Sequence, residues 1–442
     1  MKRSAPILIM MALALLLGRE NGAALTLEAV LQRTTEKNPK IQKAKLDLER
    51  AYGRRLVFHS VGLPDAIVGL VGGLQGGHRA GEKEIQPFGF AYGGFIQPLF
   101  NMAVPASRSR GDVEVLIAEQ QLNVAMVEQL HAARVAFSTG SYNLALKQIR
   151  AQQNEQLQQI TSSQKARYEA GLVKRDVFVG AQMQAYELGP RLEAAQRGYD
   201  GAILQVSELM GDDLTGRVPL PQLEGDLTFK PVQVDVAAET TRALERRADL
   251  KLARLLVRAA NEDQRIIEAA YYPALNAVVG GEYIPVTGVR RQSEGSPRRS
   301  DDEISSEVRA GAAYTWRVID NGKVRGAVIR QRSAREINQL TVQKMEADIP
   351  RQLARIQNNL EATAQKRASL LSATGAAAET ASTIRENLAG GVVSQYEFRM
   401  AENASLQIKT TLLNLAYQQH LALAEWDRVT GRYFQFSDEI VQ

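Results

Sequence analysis

The segment that decides the fold is residues 303–319, which read EISSEVRAGAAYTWRVI. Its side chains alternate between two faces with the period of two that is typical of a β-strand. The apolar face carries Ile304, Val308, Ala310, Ala312, Tyr314, Trp316 and Val318, and the opposite face carries Ser305, Glu307, Arg309, Gly311, Thr315 and Arg317. Residues 63–75, 85–99 and 272–286 show a similar switch from helical to alternating period, so four strands are predicted.

The alternation has two interpretations. In residues 85–99 an apolar face of Phe88, Phe90, Tyr92 and Ile96 stands against Gly89, Ala91, Gly93 and Gln97. Strands with one apolar face match transmembrane β-strands, whose aromatic residues face lipid at the membrane interface. The same pattern is typical of a soluble sheet that is buried on one side only.

The loops between the paired strands favour the membrane interpretation. Residues 75–84 read QGGHRAGEKE and residues 288–302 read GVRRQSEGSPRRSDD. Both are long, polar and either glycine-rich or charged, as the surface loops of a barrel are. Four strands cannot close a barrel in lipid, because an open edge leaves backbone groups unpaired. Several chains must therefore contribute strands; a dimer would supply eight and a trimer twelve.

The rest of the chain has the pattern of long helices. After Pro105 the sequence has no further proline until beyond Ala170, and it is rich in Ala, Gln, Glu and Leu. A helix of that extent would be roughly 100 Å long, which predicts a coiled coil. The pattern resumes after Gly171, which predicts an antiparallel hairpin. The predicted helices are 27–58, 105–170, 176–210, 244–270, 323–388 and 394–430.

The sequence contains an internal duplication. Prolines 64 and 273 open similar strands at an offset of 209 residues, and two pairs of glycines follow at an offset of 220, Gly171 with Gly391 and Gly211 with Gly431. The eleven-residue difference fits the longer loop at 288–302. The predicted domains are a signal peptide at 1–24, a first repeat at 25–220, a linker at 221–243 and a second repeat at 244–442.

The first 24 residues predict export from the cytoplasm. Lys2 and Arg3 precede an apolar run at 7–17, and small residues follow up to Ala24. This is the order of a secretory signal peptide, which places the start of the mature chain near Leu25. The alternative is an uncleaved membrane anchor, for which the apolar run is short.

Composition excludes several classes of protein. The 442 residues contain no cysteine, which excludes disulfides, cysteine-based metal sites, a thiol nucleophile and a lipidated N-terminal cysteine. The net charge of +5 is a small excess for this length and only weakly favours nucleic acid as a partner.

The sequence offers no catalytic constellation. The four histidines, at 59, 78, 131 and 420, lack metal-ligand spacing, and His78 and His131 are interpreted as solvated. A phosphate-binding loop and the Gly-x-Ser-x-Gly motif are both absent. We therefore predict no enzyme activity, no metal site and no cofactor.

The organisation resembles the TolC-like outer-membrane efflux channel family over essentially the whole mature chain. The resemblance rests on the duplicated order of helix, two strands and helical hairpin, together with local motifs. The first motif is QPLFNMA at 97–103, which is similar to the family's Pro-Leu-Phe-Asp-x-Gly and has a counterpart in WRVIDNG at 316–322. The second is Asn38-Pro39 with Ala44. The third is the pair of turns RYEAGLVKRDV at 167–177 and RENLAGGVVSQYEF at 385–398.

The resemblance implies a mainly α-helical chain with a small β part. Its duplicated hairpins would build an α-helical barrel, and its four strands would contribute to a twelve-stranded transmembrane β-barrel in a homotrimer. The implied partners are a periplasmic adaptor, an inner-membrane pump and outer-membrane lipid. The implied function is passive conduction of cargo out of the cell. The alternative is a periplasmic coiled-coil adaptor or scaffold with a soluble sheet.

The resemblance also implies two functional sites. The hairpin turns would contact the adaptor through Gly171, Leu172 and Val173 and through Gly391, Val392, Val393 and Ser394. The family often has an acidic gate residue six positions after the turn glycine. Here that residue is Glu397, and Glu402 lies one and a half turns further. The alternatives are plain helix-end chemistry for the turns and a solvated helix face for the two glutamates.

The first turn departs from the family pattern. Asp176 lies five positions after Gly171 rather than six, and Val177 occupies the expected place. We therefore interpret Asp176 as the N-cap of the following helix.

Overall fold

The computed structural model describes residues 25–76, 85–212, 222–286, 303–390 and 392–433. The predicted signal peptide, most of the two predicted surface loops, His78 and Gly391 lie outside the described residues.

Long helices dominate the described chain. The helices are α1 Leu27–Lys37, α2 Pro39–Ser60, α3 Ala103–Glu169, α4 Arg175–Met210, α5 Val236–Arg246, α6 Ala248–Glu268, α7 Lys323–Ala389 and α8 Gln395–Val429. The four long helices begin and end within two residues of the predicted bounds. None of the helices among the described residues is both long and apolar enough to cross a membrane.

The predicted helix over 27–58 is wrong in one respect, because it is broken at Asn38. Asn38 has φ −57° and ψ 126°, which is outside the helical region. The following proline disfavours a helical conformation at this residue. The Asn38 Oδ1 atom accepts hydrogen bonds from the backbone N–H groups of Lys40 (2.9 Å) and Ile41 (3.3 Å), so it caps α2.

The second repeat has the same break at Arg247. This residue has φ −58° and ψ 121° and lies 209 residues after Asn38, the offset that also relates the two prolines. The helix before it begins at Val236. Helical structure therefore starts within the segment predicted as a linker, eight residues before the predicted start of the helix at 244.

The four predicted strands are present in one antiparallel sheet. They are β1 Asp65–Gly76, β2 Ile85–Phe100, β3 Ala274–Val286 and β4 Glu303–Thr315, in the order β1-β2-β3-β4. β4 ends four residues earlier than predicted. Together with the helices, this sheet confirms the predicted class, mainly α with a small β part.

The register gives the sheet two different faces. Residues that pair across antiparallel strands share a face. What we call the apolar sheet face carries Val68, Leu70, Leu74, Phe95, Leu275, Val279, Tyr283, Val308 and Tyr314. What we call the mixed sheet face carries Asp65, Ile67, Val71, Phe88, Phe90, Tyr92, Ile96, Asn276, Val278, Glu282, Glu307 and Arg309.

The register separates the aromatic side of β2 from the apolar side of β4; which side faces lipid stays a prediction. Tyr92 pairs with Glu282, which in turn pairs with Glu307. Phe88, Phe90, Tyr92 and Ile96 therefore share a face with the charges of β4 and not with its apolar residues. The Tyr92 ring occupies the space above Gly69, where any side chain would collide with it. The alternation of one strand cannot show which of its faces a neighbour shares; that depends on register.

The chain divides into two compact units that each draw on both repeats. The first comprises the described residues within Met1–Leu46, Gln120–Lys251 and Lys344–Gln442, and the second comprises those within Asp47–Glu119 and Leu252–Gln343. The core of the first unit is formed by Val30, Phe137, Ile203, Val206, Met210 and their neighbours. In the second unit, which contains the sheet, Val113 and Ile117 pack against Ala259. The division into repeats stays a prediction.

Candidate functional site at the hairpin ends

The turn between α3 and α4 ends α3 with a left-handed glycine. Gly171 has φ +72°. Its N–H donates to the Tyr168 carbonyl (2.9 Å), and the Leu172 N–H donates to the Arg167 carbonyl (2.8 Å), which is a Schellman motif. This motif requires Gly171 but not the next residue. The Leu172 side chain is 71% exposed, and Val173 is half-buried.

The turn between α7 and α8 has the equivalent of the bond from Leu172 to Arg167, at the predicted offset of 220 residues. The Val392 N–H donates to the Asn387 carbonyl at 2.8 Å, and these residues are 220 positions after Leu172 and Arg167. Val392 is 76% exposed, and Val393 is half-buried. Gly391 itself lies outside the described residues. Both hairpin ends therefore present a largely exposed apolar side chain at the turn, Leu172 in one and Val392 in the other.

The start of α8 is stabilised by a capping box that the sequence reading missed. The Glu397 N–H donates to Ser394 Oγ (3.3 Å), while the Glu397 carboxylate accepts from the Ser394 N–H (2.7 Å) and hydroxyl (2.9 Å). The signal was present as Ser394-Gln-Tyr-Glu397, since Ser-x-x-Glu before a helix predicts this motif. The Glu397 carboxylate thus has a local structural role.

The capping box also determines the ionisation of Glu397. Its pKa is lowered, mainly by the hydrogen bonds from the Ser394 backbone and hydroxyl and further by the charge of Arg167. A carboxyl with a lowered folded-state pKa stabilises the fold above its unfolded-state pKa, and this stabilisation is lost as the pH falls through the folded-state value. Glu397 is therefore ionised and exposed at neutral pH.

The prediction that Asp176 caps α4 is wrong. The helix begins at Arg175 and its N-cap is Lys174, which makes no side-chain capping bond. Asp176 is the second helical residue, and its Oδ1 accepts from the Val177 N–H at 3.0 Å. Because the helix begins before Asp176, its carboxylate cannot be the cap, although it still lies near the positive end of the helix dipole.

Glu402 has a different environment from Glu397. Its carboxylate lies 3.7 Å from the guanidinium of Arg399, one turn earlier on α8. Arg399 also donates to the side-chain oxygen of Gln156 on α3, and Gln153 donates to Asn403 at 3.4 Å. Glu402 is thus part of a polar contact between α8 and α3, whereas Glu397 lies outside that contact.

The interpretation of His131 as solvated is wrong. Its Nδ1 lies 3.3 Å from the Ala424 carbonyl, and its ring meets Tyr433 edge-on at 6.1 Å. Burial lowers the pKa of His131 because desolvation disfavours the imidazolium. The face of α3 that carries His131 packs against α8, which helical periodicity alone did not reveal.

The described residues contain no group of three or more His, Asp or Glu that could hold a metal ion. The absence of a metal or cofactor in the protein stays a prediction.

Comparison with known proteins supports the family resemblance. Residues 240–432 match the model of the outer membrane efflux protein family. Comparison with curated proteins finds no significant match.

Solved outer-membrane channels share the fold of the chain. The CmeC channel of Campylobacter jejuni has a TM-score of 0.76 at 13% identity, over 94% of this chain and 88% of its own. VceC of Vibrio cholerae has a TM-score of 0.71 at 14% identity, over 92% and 96%. The open state of the MtrE channel of Neisseria gonorrhoeae has a TM-score of 0.71 at 16% identity, over 92% and 88%.

The chain therefore has the fold of a TolC-like outer-membrane channel. Its residues 240–432 are similar to the outer membrane efflux protein family, whose model they match. The resemblance seen in the sequence is confirmed.

Proposed function

We propose that this protein is the outer-membrane channel of a tripartite efflux or type I secretion system. It conducts cargo passively from a periplasmic adaptor and an inner-membrane pump to the exterior. After removal of the signal peptide it resides in the outer membrane and extends into the periplasm. The observation that carries the proposal is a sheet with one apolar face and two open edges, joined to long helical hairpins.

The open edges favour assembly into a closed barrel. In the described chain, the outer edges of β1 and β4 have no neighbouring strand. Unpaired strand edges are not tolerated in lipid, so other copies of the chain must cover them. Three copies would supply the twelve strands that the family resemblance implies.

The apolar sheet face favours contact with lipid. Val68 is 88% exposed, and Leu70 and Val308 are similarly exposed. In a periplasmic scaffold this face would lie in water, where a large exposed apolar patch is unfavourable. In a barrel it would face the bilayer, and the charges of the mixed sheet face would line the water-filled interior.

Membrane extraction tests this proposal against the scaffold alternative. We expect the mature protein to remain in the outer-membrane fraction after high-salt and alkaline washes and to require detergent for release. In detergent it should have the mass of three chains, measured by light scattering with correction for bound detergent. Release without detergent, as a soluble protein, would support the scaffold.

The hairpin ends are the proposed contact with the adaptor. The exposed Leu172 and Val392 provide matching apolar side chains at two turns related by the internal repeat. Gly171 and Val173 complete the first contact, and Gly391, Val393 and Ser394 complete the second. Helix-end chemistry accounts for Gly171 and Ser394 but leaves the exposed Leu172 and Val392 unexplained, which supports a partner.

Glu397 is the first candidate for the periplasmic gate, and Glu402 is the second. In a trimer, three Glu397 carboxylates around a narrow pore would repel one another and attract cations. The exposure of Glu397 supports this role, whereas Glu402 interacts with Arg399 within its own chain.

Glu397→Gln tests the negative charge of this residue separately from its role in capping α8. Glutamine can still accept the bonds of the capping box, so the helix start is expected to survive while the negative charge is lost. In planar bilayers under a salt gradient, we expect the cation-over-anion permeability ratio to fall by about twofold or more.

Two control variants make the gate experiment specific. Ser394→Ala removes the capping hydroxyl, at a cost of about 1 kcal/mol, but keeps the charge, so the permeability ratio should stay near that of the wild type. Glu402→Gln tests the second candidate. An unchanged ratio in Glu397→Gln would remove Glu397 from the gate and leave the channel assignment standing.

A further inference from the structure

The end of the sheet nearest the helices carries exposed aromatic and aliphatic side chains. The register brings all four strand–helix junctions to this end, because Asp65 pairs with Ile96, Phe100 with Leu275 and Ala274 with Thr315. The exposed side chains form what we call the junction collar, which consists of Leu99, Phe100, Tyr271, Tyr272, Trp316 and Ile319.

Trp316 is held in an orientation typical of a membrane interface. Its indole N–H donates to the Tyr271 carbonyl at 3.2 Å, while half of the residue remains exposed. Tryptophan and tyrosine are enriched at the boundary between lipid tails and water, where the ring is apolar and its polar group is hydrogen-bonded. The collar therefore has the chemistry of an interfacial belt.

A group of cations follows the collar on α7. Residues 321–340 contain five basic residues and one acidic residue. Arg332 pairs with Glu336 at 3.0 Å, and Arg335 donates to Asn261 at 3.2 Å. Within the described part of the chain, the remaining three form no ion pair and are exposed; they are Lys323, Arg325 and Arg330, which we call the basic stripe. Lys323 and Arg330 share one face of α7, and Arg325 projects from the other side of the same two turns.

Helix stability does not account for the basic stripe. Lys323 and Arg325 lie in the first turn of α7, where positive side chains are unfavourable beside the positive end of the helix dipole. The equivalent residue of α3 differs, since Arg110, 220 positions before Arg330, pairs with Glu114 and Asp263.

We propose that the junction collar and the basic stripe bind anionic glycerophospholipids. The collar lies among the upper acyl chains and glycerol groups, and Lys323, Arg325 and Arg330 contact headgroup phosphates. Basic side chains next to an anionic membrane surface gain attraction that zwitterionic lipids do not provide. The inference rests on the proposed membrane location but adds a preference for one class of lipid.

Tryptophan quenching by brominated lipids tests the preference directly. The chain has two tryptophans, and the other, Trp426, is only 2% exposed, so Trp426→Phe leaves Trp316 as the reporter. The full mature protein is reconstituted in vesicles of equal parts phosphatidylglycerol and phosphatidylcholine, with bromine on the chains of one lipid at a time. If Trp426→Phe does not assemble, the wild type serves, because Trp426 contributes the same background to every sample.

The expected result is a local preference for phosphatidylglycerol over phosphatidylcholine of about fivefold. The triple variant Lys323→Gln, Arg325→Gln, Arg330→Gln should reduce this ratio to about one. The matched control is Lys344→Gln, Arg355→Gln, Lys366→Gln, which removes three exposed cations further along the same helix and should keep the preference.

The failures of the two proposals are distinguishable. Equal quenching by both brominated lipids in the wild type would overturn the lipid preference and leave the membrane location intact. Absence of quenching by either lipid would show that Trp316 is remote from the bilayer, which would overturn both. A preference that survives in the triple variant would overturn the role of the basic stripe.

Discussion

Val279→Arg is expected to destabilise the protein by about 2–4 kcal/mol, whereas Val278→Arg, one position earlier on β3, should cost less than about 1 kcal/mol. Val279 lies on the apolar sheet face, where it pairs with Phe95 and Ala310. In a barrel this face contacts lipid, and an arginine there loses most of its hydration. Val278 lies on the mixed sheet face, where it pairs with Ile96 and Gly311, and where water in the barrel interior can accept an arginine.

Both substitutions replace valine by arginine on the same strand and at nearly the same depth in the membrane. The difference in their cost therefore measures only the effect of the face on which the side chain lies. The measurement is the urea concentration that unfolds the protein reconstituted in vesicles, with the yield of membrane-inserted protein as a second readout. Equal costs would argue against a lipid-facing apolar sheet face. A greater cost for Val278→Arg would mean that the faces are reversed.

Gly211→Ala is expected to cost about 3 kcal/mol, and Gly171→Ala about 1 kcal/mol. Both glycines have φ +72°, so both variants carry the strain of an L-residue in the left-handed region. Their surroundings differ. A Cβ atom at Gly211 would lie 2.5 Å from the Lys37 carbonyl oxygen, whereas a Cβ atom at Gly171 would meet nothing within 4 Å.

The difference between these two variants measures the cost of a backbone collision, because the dihedral strain is common to both. It can be read from urea denaturation of the detergent-solubilised protein. Comparable losses of stability would indicate that the turn at Gly211 relaxes away from Lys37. Gly171→Ala also tests the proposed adaptor contact, since it leaves Leu172 exposed and should weaken binding only through the altered turn.

Much of the fold could be predicted because local patterns agree with the tertiary structure. The long helices were predicted within two residues, since a long apolar repeat of helical period leaves few alternatives, even though α4 and α7 each contain a proline. The break at Asn38 was missed although Pro39 is plain in the sequence. The capping box was missed for another reason, because the glutamate of its Ser-x-x-Glu signature also occupies the gate position of the family pattern.

The sequence positions of the candidate site residues could be predicted, but their contacts with other helices could not. The turn glycines and the glutamates could be located by counting from the repeat. The contact of Arg399 with Gln156 joins residues 243 positions apart, so no local pattern contains it. The burial of His131 against Tyr433 likewise joins residues 302 positions apart, which meet only in the folded chain.

The sequence by itself determined the four strands and the type and extent of the long helices, because periodicity and turn chemistry act between residues close along the chain. The duplication stays a prediction. Only the tertiary structure decided which sides of the strands form a common face. β2 has Phe88, Phe90 and Tyr92 on one side and mostly glycine and alanine, with Phe95, on the other, and the pattern favours the side of Phe88, Phe90 and Tyr92 as the apolar one. The pairing of Tyr92 with Glu282 instead places that side on the mixed sheet face. The pattern of β2 alone could not show this, because a shift of one residue in register would move every side chain of the strand to the other face.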